Sequence, residues 1–103
     1  MAEVEISRGY LSRIRQYLRL ATTAHDREIE DLLRAARADL VLGGVDKDRA
    51  EDESDPLILR AVATFVKAEF GLSNDDSEKY RASYREQRDA LTLSDAYMRP
   101  GEV

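Results

Sequence analysis

Residues 55–70 read Asp55-Pro56-Leu57-Ile58-Leu59-Arg60-Ala61-Val62-Ala63-Thr64-Phe65-Val66-Lys67-Ala68-Glu69-Phe70. An acid followed by proline is a helix start. The carboxylate accepts orphan N–H groups of the first turn, and proline's missing donor costs nothing at the first helical position. Leu57, Ile58, Ala61, Val62, Phe65, Val66 and Phe70 then recur at three- and four-residue spacing. They cover more than half the circumference, and Gly71 ends the run. A helix this apolar must be the central one, buried by the rest of the fold or by a neighbouring subunit.

Working outward toward the amino terminus, Asp46 to Ser54 is a charged run without periodicity and predicts an exposed loop. Before it, Ile29, Leu32, Leu33, Ala36 and Leu40 form the stripe of an amphipathic helix. Its start signature is Thr23 with Asp26, and its stop is Gly43-Gly44, where the chain must turn left-handed. Earlier still, Ser7 predicts the cap of a helix over about Gly9 to Leu20. Leu11, Ile14 and Leu18 share one face of it, flanked by Tyr10 and Tyr17. Arg8, Arg13, Arg15 and Arg19 occupy the remainder, with no acid between Ser7 and Leu20.

Beyond Gly71, Asn74 to Ser77 offers caps for a last helix reaching about Leu91. Its apolar stripe is narrow, comprising Tyr80, Tyr84 and Leu91 with Ala90 beside it, and Arg81, Arg85 and Arg88 line an adjacent stripe. Thr92 to Val103 contains Pro100-Gly101 and no helical period, so it reads as a tail ordered only where something holds it. The expectation is an all-α protein with four main helices in a small bundle. An acidic loop lies between helices two and three, and residues 92–103 form a flexible carboxyl-terminal tail of a single domain spanning 1–103.

Composition agrees. The chain has 103 residues, 43% apolar and 36% charged, enough to bury roughly 65% of its unfolded surface and to form one modest core. A formal charge of −5 argues against coating nucleic acid by phosphate neutralisation. There is no cysteine, which removes disulfides and thiolate metal sites. The acidic start Met1-Ala2-Glu3-Val4-Glu5 has no apolar run after it, so no signal peptide is expected. No stretch approaches the ~20 apolar residues that cross a bilayer, so no membrane partner is expected.

No catalytic or cofactor motif emerges, and the protein is read as a non-enzyme without a cofactor. His25 is the sole histidine and has no metal-ligating neighbour at usable spacing. Asp46, Asp48 and Asp52 suggest a calcium loop, but Ala50, Glu51 and Leu57 fall where a ligand, a glycine and a glutamate are required. The glycine pair lacks the lysine and hydroxyl of a phosphate cradle. Residues 46–55 hold six acids (Asp46, Asp48, Glu51, Asp52, Glu53, Asp55) against Lys47 and Arg49. They read as a solvated acidic loop or as a negative surface facing DNA or a basic partner. Arg8, Arg15 and Arg19 share a face that either pairs with acids next door or is simply solvated. Tyr80, Tyr84 and Tyr97 read as core or rim anchors rather than a base-stacking platform.

Four blocks, taken in order and spacing, resemble the head–tail connector (adaptor) proteins of long-tailed phages. The first is Tyr17-Leu18-Arg19-Leu20, a polar turn, and Asp26 through Ala36. The second is Gly43-Gly44-Val45. The third runs from Asp55-Pro56 to Phe70-Gly71. The fourth is Ser77-Glu78-Lys79-Tyr80 with Tyr84, Leu91-Thr92-Leu93-Ser94 and Tyr97. The resemblance covers about Tyr10 to Tyr97.

The resemblance implies a helical subunit that forms a ring, commonly dodecameric, below the portal at the virion neck, after assembly in host cytoplasm. Its partners would be other copies of itself, the portal protein, and the next head-completion or tail protein. DNA would pass through without sequence-specific binding. On this reading the six loop acids face the channel, while Arg8, Arg15, Arg19, Phe65, Tyr80 and Tyr84 form the subunit interface. Tyr97, Met98 and Arg99 belong to a tail that docks on the portal. The rival expectation is a small helical adaptor or regulator that binds another protein through helix four.

Overall fold

The computed structural model describes residues 5–70 and 75–99. Five helices follow in order: α1 Arg8–Leu18, α2 Asp26–Gly43, α3 Lys47–Ala50, α4 Pro56–Glu69 and α5 Ser77–Thr92. The protein is all-α. Among the described residues the only extended pairing is an isolated antiparallel bridge between Val45 and Met98.

α4 begins as the sequence predicts. The Asp55 carboxylate accepts from the N–H groups of Leu57 at 2.8 Å and Ile58 at 3.1 Å, and Pro56 occupies the first helical position. Ile58, Ala61, Val62 and Val66 are fully buried, chiefly against α5 and α2. Each branched side chain moved out of water contributes roughly 1.5–3 kcal/mol, so the chain itself meets most of α4's demand for burial. Leu57 is the exception, 49% exposed. Gly71, the expected terminator, and Asn74 lie outside the described residues.

Long-range contacts fix the helix directions. Arg15 pairs with Asp26 and Tyr10 stacks under Arg37, so α1 runs antiparallel to α2. Arg81 meets Glu69, Phe65 meets Tyr84 and Gln87 meets Thr64, so α5 runs antiparallel to α4. Arg88 reaches Asp39, and a Cβ at Gly43 would lie only 3.0 Å from the Arg88 stem, so the two helices cross closely here. α2 and α5 therefore end side by side. That end also carries α3, the start of α4 and the segment after α5. The shared core includes Tyr10, Leu11, Ile14, Ile29, Leu33, Ala36, Leu40, Val45, Tyr84 and Leu91.

Four local features depart from the sequence reading. α1 stops at Leu18 because Arg19 adopts a left-handed conformation at φ 59, its N–H donating to the carbonyls of Arg15 and Gln16. The expected Thr23–Asp26 capping pair does not form. His25 holds the N-cap position without a side-chain bond, because the Asp26 carboxylate is taken by Arg15 at 2.8 and 2.9 Å. The acidic segment is not wholly loop: Asp46 caps Arg49 N–H, a short helix follows, and Ala50 is fully buried. Finally, residues 94–99 fold back on the chain. Tyr97 O accepts from Asp46 N–H at 2.7 Å and Gly44 O from Arg99 N–H at 3.1 Å.

Candidate functional site: the acidic end of the bundle

The six predicted acids all lie at the end where α2 and α5 finish, and most have a local partner. Glu53 accepts from the backbone N–H of Ser7 at 3.0 Å and from its hydroxyl at 2.6 Å, so it closes the start of α1. It also lies 3.7 Å from the Arg37 guanidinium, which is only 5% exposed. Asp55 caps α4 and accepts the Tyr97 hydroxyl at 2.8 Å. Asp46 caps α3, Glu51 pairs with Lys47, and Asp52 accepts both the N–H and hydroxyl of Ser54. The Ser54 bonds hold the Asp52 carboxyl below its ordinary pKa. Asp48 is exposed. Most of these acids are thus tied to local N–H, O–H or cationic donors, and all six gather at one end of the bundle.

The tail residues belong to the same end. Tyr97 and Met98 are half-buried, and the bond to Asp55 pushes the Tyr97 hydroxyl above its usual pKa. The Arg99 guanidinium donates to the Val41 carbonyl at 2.9 Å. That places a cation on the carbonyl-rich terminus of α2, whose last turn has no basic residue of its own.

The proposed interface residues are dispersed. Arg8 and Arg19 are exposed on α1 and its cap, whereas Arg15 is held by Asp26 within the chain. Tyr84 is 5% exposed and donates to Asp39 at 2.6 Å, beside Arg88 at 2.9 Å from the same oxygen. Burial, then the Asp39 bond, pushes its hydroxyl pKa well above 10. Phe65 packs edge-on against Tyr84 with centroids 5.1 Å apart, and Tyr80 lies half-buried under Lys67.

Sequence reasoning missed Arg37 and Asp39. Arg37 follows Leu33 by four residues on the inner face of α2, so periodicity alone placed a charge among Ile29, Leu33, Ala36 and Leu40. Its Nε and one Nη have no hydrogen-bond partner, and neither does the nearby Tyr10 hydroxyl. Burial pushes the Tyr10 pKa up to about 12, against the pull of Arg37.

In chemical terms the arrangement is one of caps and clips. Ser7 donates to Glu53 but also accepts from Tyr10 N–H at 3.1 Å as the cap of α1. His25 lies at the other end, edge-on to Phe70. Among the described residues no group of His, Asp and Glu could hold a metal ion, and no helix is long and apolar enough to cross a membrane.

Comparison with known proteins bears on the whole domain. A family model described as phage connector protein matches residues 10–98, from the first turn of α1 to the bridge at Met98. No curated protein and no solved structure matches the chain. A match over this span, covering every helix described above, shows that the chain belongs to the phage connector protein family.

Proposed function

We propose that this connector is a purely structural ring subunit seated below the portal at the virion neck, where it extends the DNA channel and joins head to tail. The observation that carries the reading is the family match across the whole helical domain. Charge segregation supports it: acids gather at one end, and Arg8 and Arg19 lie exposed along α1. A ring requires unlike surfaces to meet head to tail, and the exposed arginines of α1 and its cap supply one such surface, leaving the acidic end free. Phe65, Tyr80 and Tyr84 then act from beneath that interface, stiffening α4 against α5, since Tyr84 is buried. Arg15 aligns α1 on α2 through Asp26.

An acidic end turned toward the channel would repel phosphate and let DNA slide without sequence-specific binding. The end of the bundle that carries Tyr97-Met98-Arg99 is the part we assign to portal docking, and the opposite end of the ring would receive the next head-completion or tail protein. The test is sedimentation across a concentration series, with and without purified portal. Concentration-dependent rings or binding to portal are expected. A chain that stays monomeric and also ignores portal would overturn the proposal.

A further inference from the structure

We propose that residues 94–99 form an exchangeable strap that seats on a second copy of this chain in the slot it occupies here on its own. This rests on the reading of the protein as a self-assembling subunit and names one of its contacts.

The slot is a short extended groove at the acidic end. Its floor is Val45, fully buried, with Gly44 O and Asp46 N–H presented along one edge and the Asp55 carboxylate at its far side. The groove holds the strap through two backbone hydrogen bonds flanking the Val45–Met98 pair, through Tyr97 to Asp55 and through Arg99 to Val41 O, while Tyr97 also packs on the core. The strap brings a guanidinium to the carbonyl terminus of α2, and the rim carries Asp46, Asp52 and Asp55. Because the groove recognises this hexapeptide, an identical hexapeptide from another copy satisfies the same bonds. Exchange therefore remakes the groove bonds and requires that the chain swing about Leu93–Ser94, at the cost of the hinge bond from Ser94 N–H to Leu91 O.

An independent observation favours a second copy as the occupant. The two most exposed leucines of the described residues are Leu42 at 84% and Leu93 at 85%, one in the last turn of α2 and the other at the hinge itself. Within a single chain they remain in water. A neighbour delivering its strap to this end would lie against both.

The test exploits the absence of cysteine from the chain. Val45 and Met98 face each other between two hydrogen bonds, a close antiparallel pair with Cα atoms about 4.5 Å apart, which a disulfide can span. Val45→Cys and Met98→Cys, each carried on a separate chain, cannot close internally. When they are mixed at high concentration and oxidised, strap exchange predicts a disulfide joining residue 45 of one copy to residue 98 of another. It should exceed the dimers formed by either variant alone by ~10-fold or more, through the high effective concentration inside an assembly. Should Val45→Cys fold poorly, Met98→Cys bearing a benzophenone, mixed with isotope-labelled wild-type protein, must crosslink to residues 44–46 of the labelled copy. Oligomers in sedimentation without the mixed link would overturn the strap exchange and leave the ring reading standing. No oligomer at any concentration would overturn exchange in the free protein, and portal binding would then decide the ring reading separately.

Discussion

Glu53→Ala distinguishes a structural acid from a charge that merely faces solvent. In the folded chain Glu53 accepts two hydrogen bonds from Ser7 and is the carboxylate beside buried Arg37. Two hydrogen bonds to a charged acceptor at a partly exposed site contribute together about 1–2 kcal/mol. The ion pair has a gross Coulomb attraction of about 4 kcal/mol at an effective dielectric of 20. Desolvation of Arg37 and the 28% exposure of Glu53 reduce the net to roughly 1.5 kcal/mol. Glu53→Ala should therefore cost about 3 kcal/mol and lower Tm by at least ~10 °C. Urea unfolding at pH 7, at low protein concentration, measures it. In an Arg37→Leu background the same substitution should cost only the Ser7 share, about 1.5 kcal/mol, because the buried cation that needed an anion is gone. A cost under about 0.5 kcal/mol, or equal costs in both backgrounds, would refute the argument.

Three further outcomes follow from the same geometry. Above about pH 10 stability should fall by up to ~1.4 kcal/mol per pH unit for each buried tyrosine. The reason is that Tyr10 and Tyr84 release protons at lower pH unfolded than folded; absorbance titration with parallel urea curves reads this, and a stability rising above pH 10 contradicts it. Asp55→Ala should lose about 2 kcal/mol, since it removes the α4 cap and the Tyr97 bond, whereas Tyr97→Phe should lose about 1 kcal/mol, both measured by urea unfolding. Leu33→Ala, at a fully buried site on α2, should cost about 3 kcal/mol by calorimetry, and a cost below 1 kcal/mol would mean the core is not packed as described.

Much of the architecture is legible in the sequence because its causes lie within a few residues. The α4 start needs only Asp55 beside Pro56, α1 is capped by Ser7 at three residues' distance, and the left-handed Gly44 ends α2 where the glycine pair predicts. Periodicity identified most of the inner face of the four main helices, with Leu57 left half-exposed and Leu59 buried off the predicted stripe, and the ordering of blocks pointed to the connector family. Local logic failed where a side chain had a distant suitor. Asp26 forms part of a capping pair on paper, yet Arg15, eleven residues earlier, takes its carboxylate.

A helical chain with a dense acid cluster and an apolar central helix follows from sequence alone, since helix propensity, capping and hydrophobic spacing are short-range properties. The partners of those acids come from the packing of the helices. Glu53 finds Ser7 across 46 residues, Asp55 finds Tyr97 across 42, and Tyr84 and Arg88 find Asp39 across 45 and 49. Such pairings depend on which helix ends the packing brings side by side, and burial of the apolar faces, which carries no information about individual charges, sets that juxtaposition. The charges then settle with whatever donors the packed core has placed within reach.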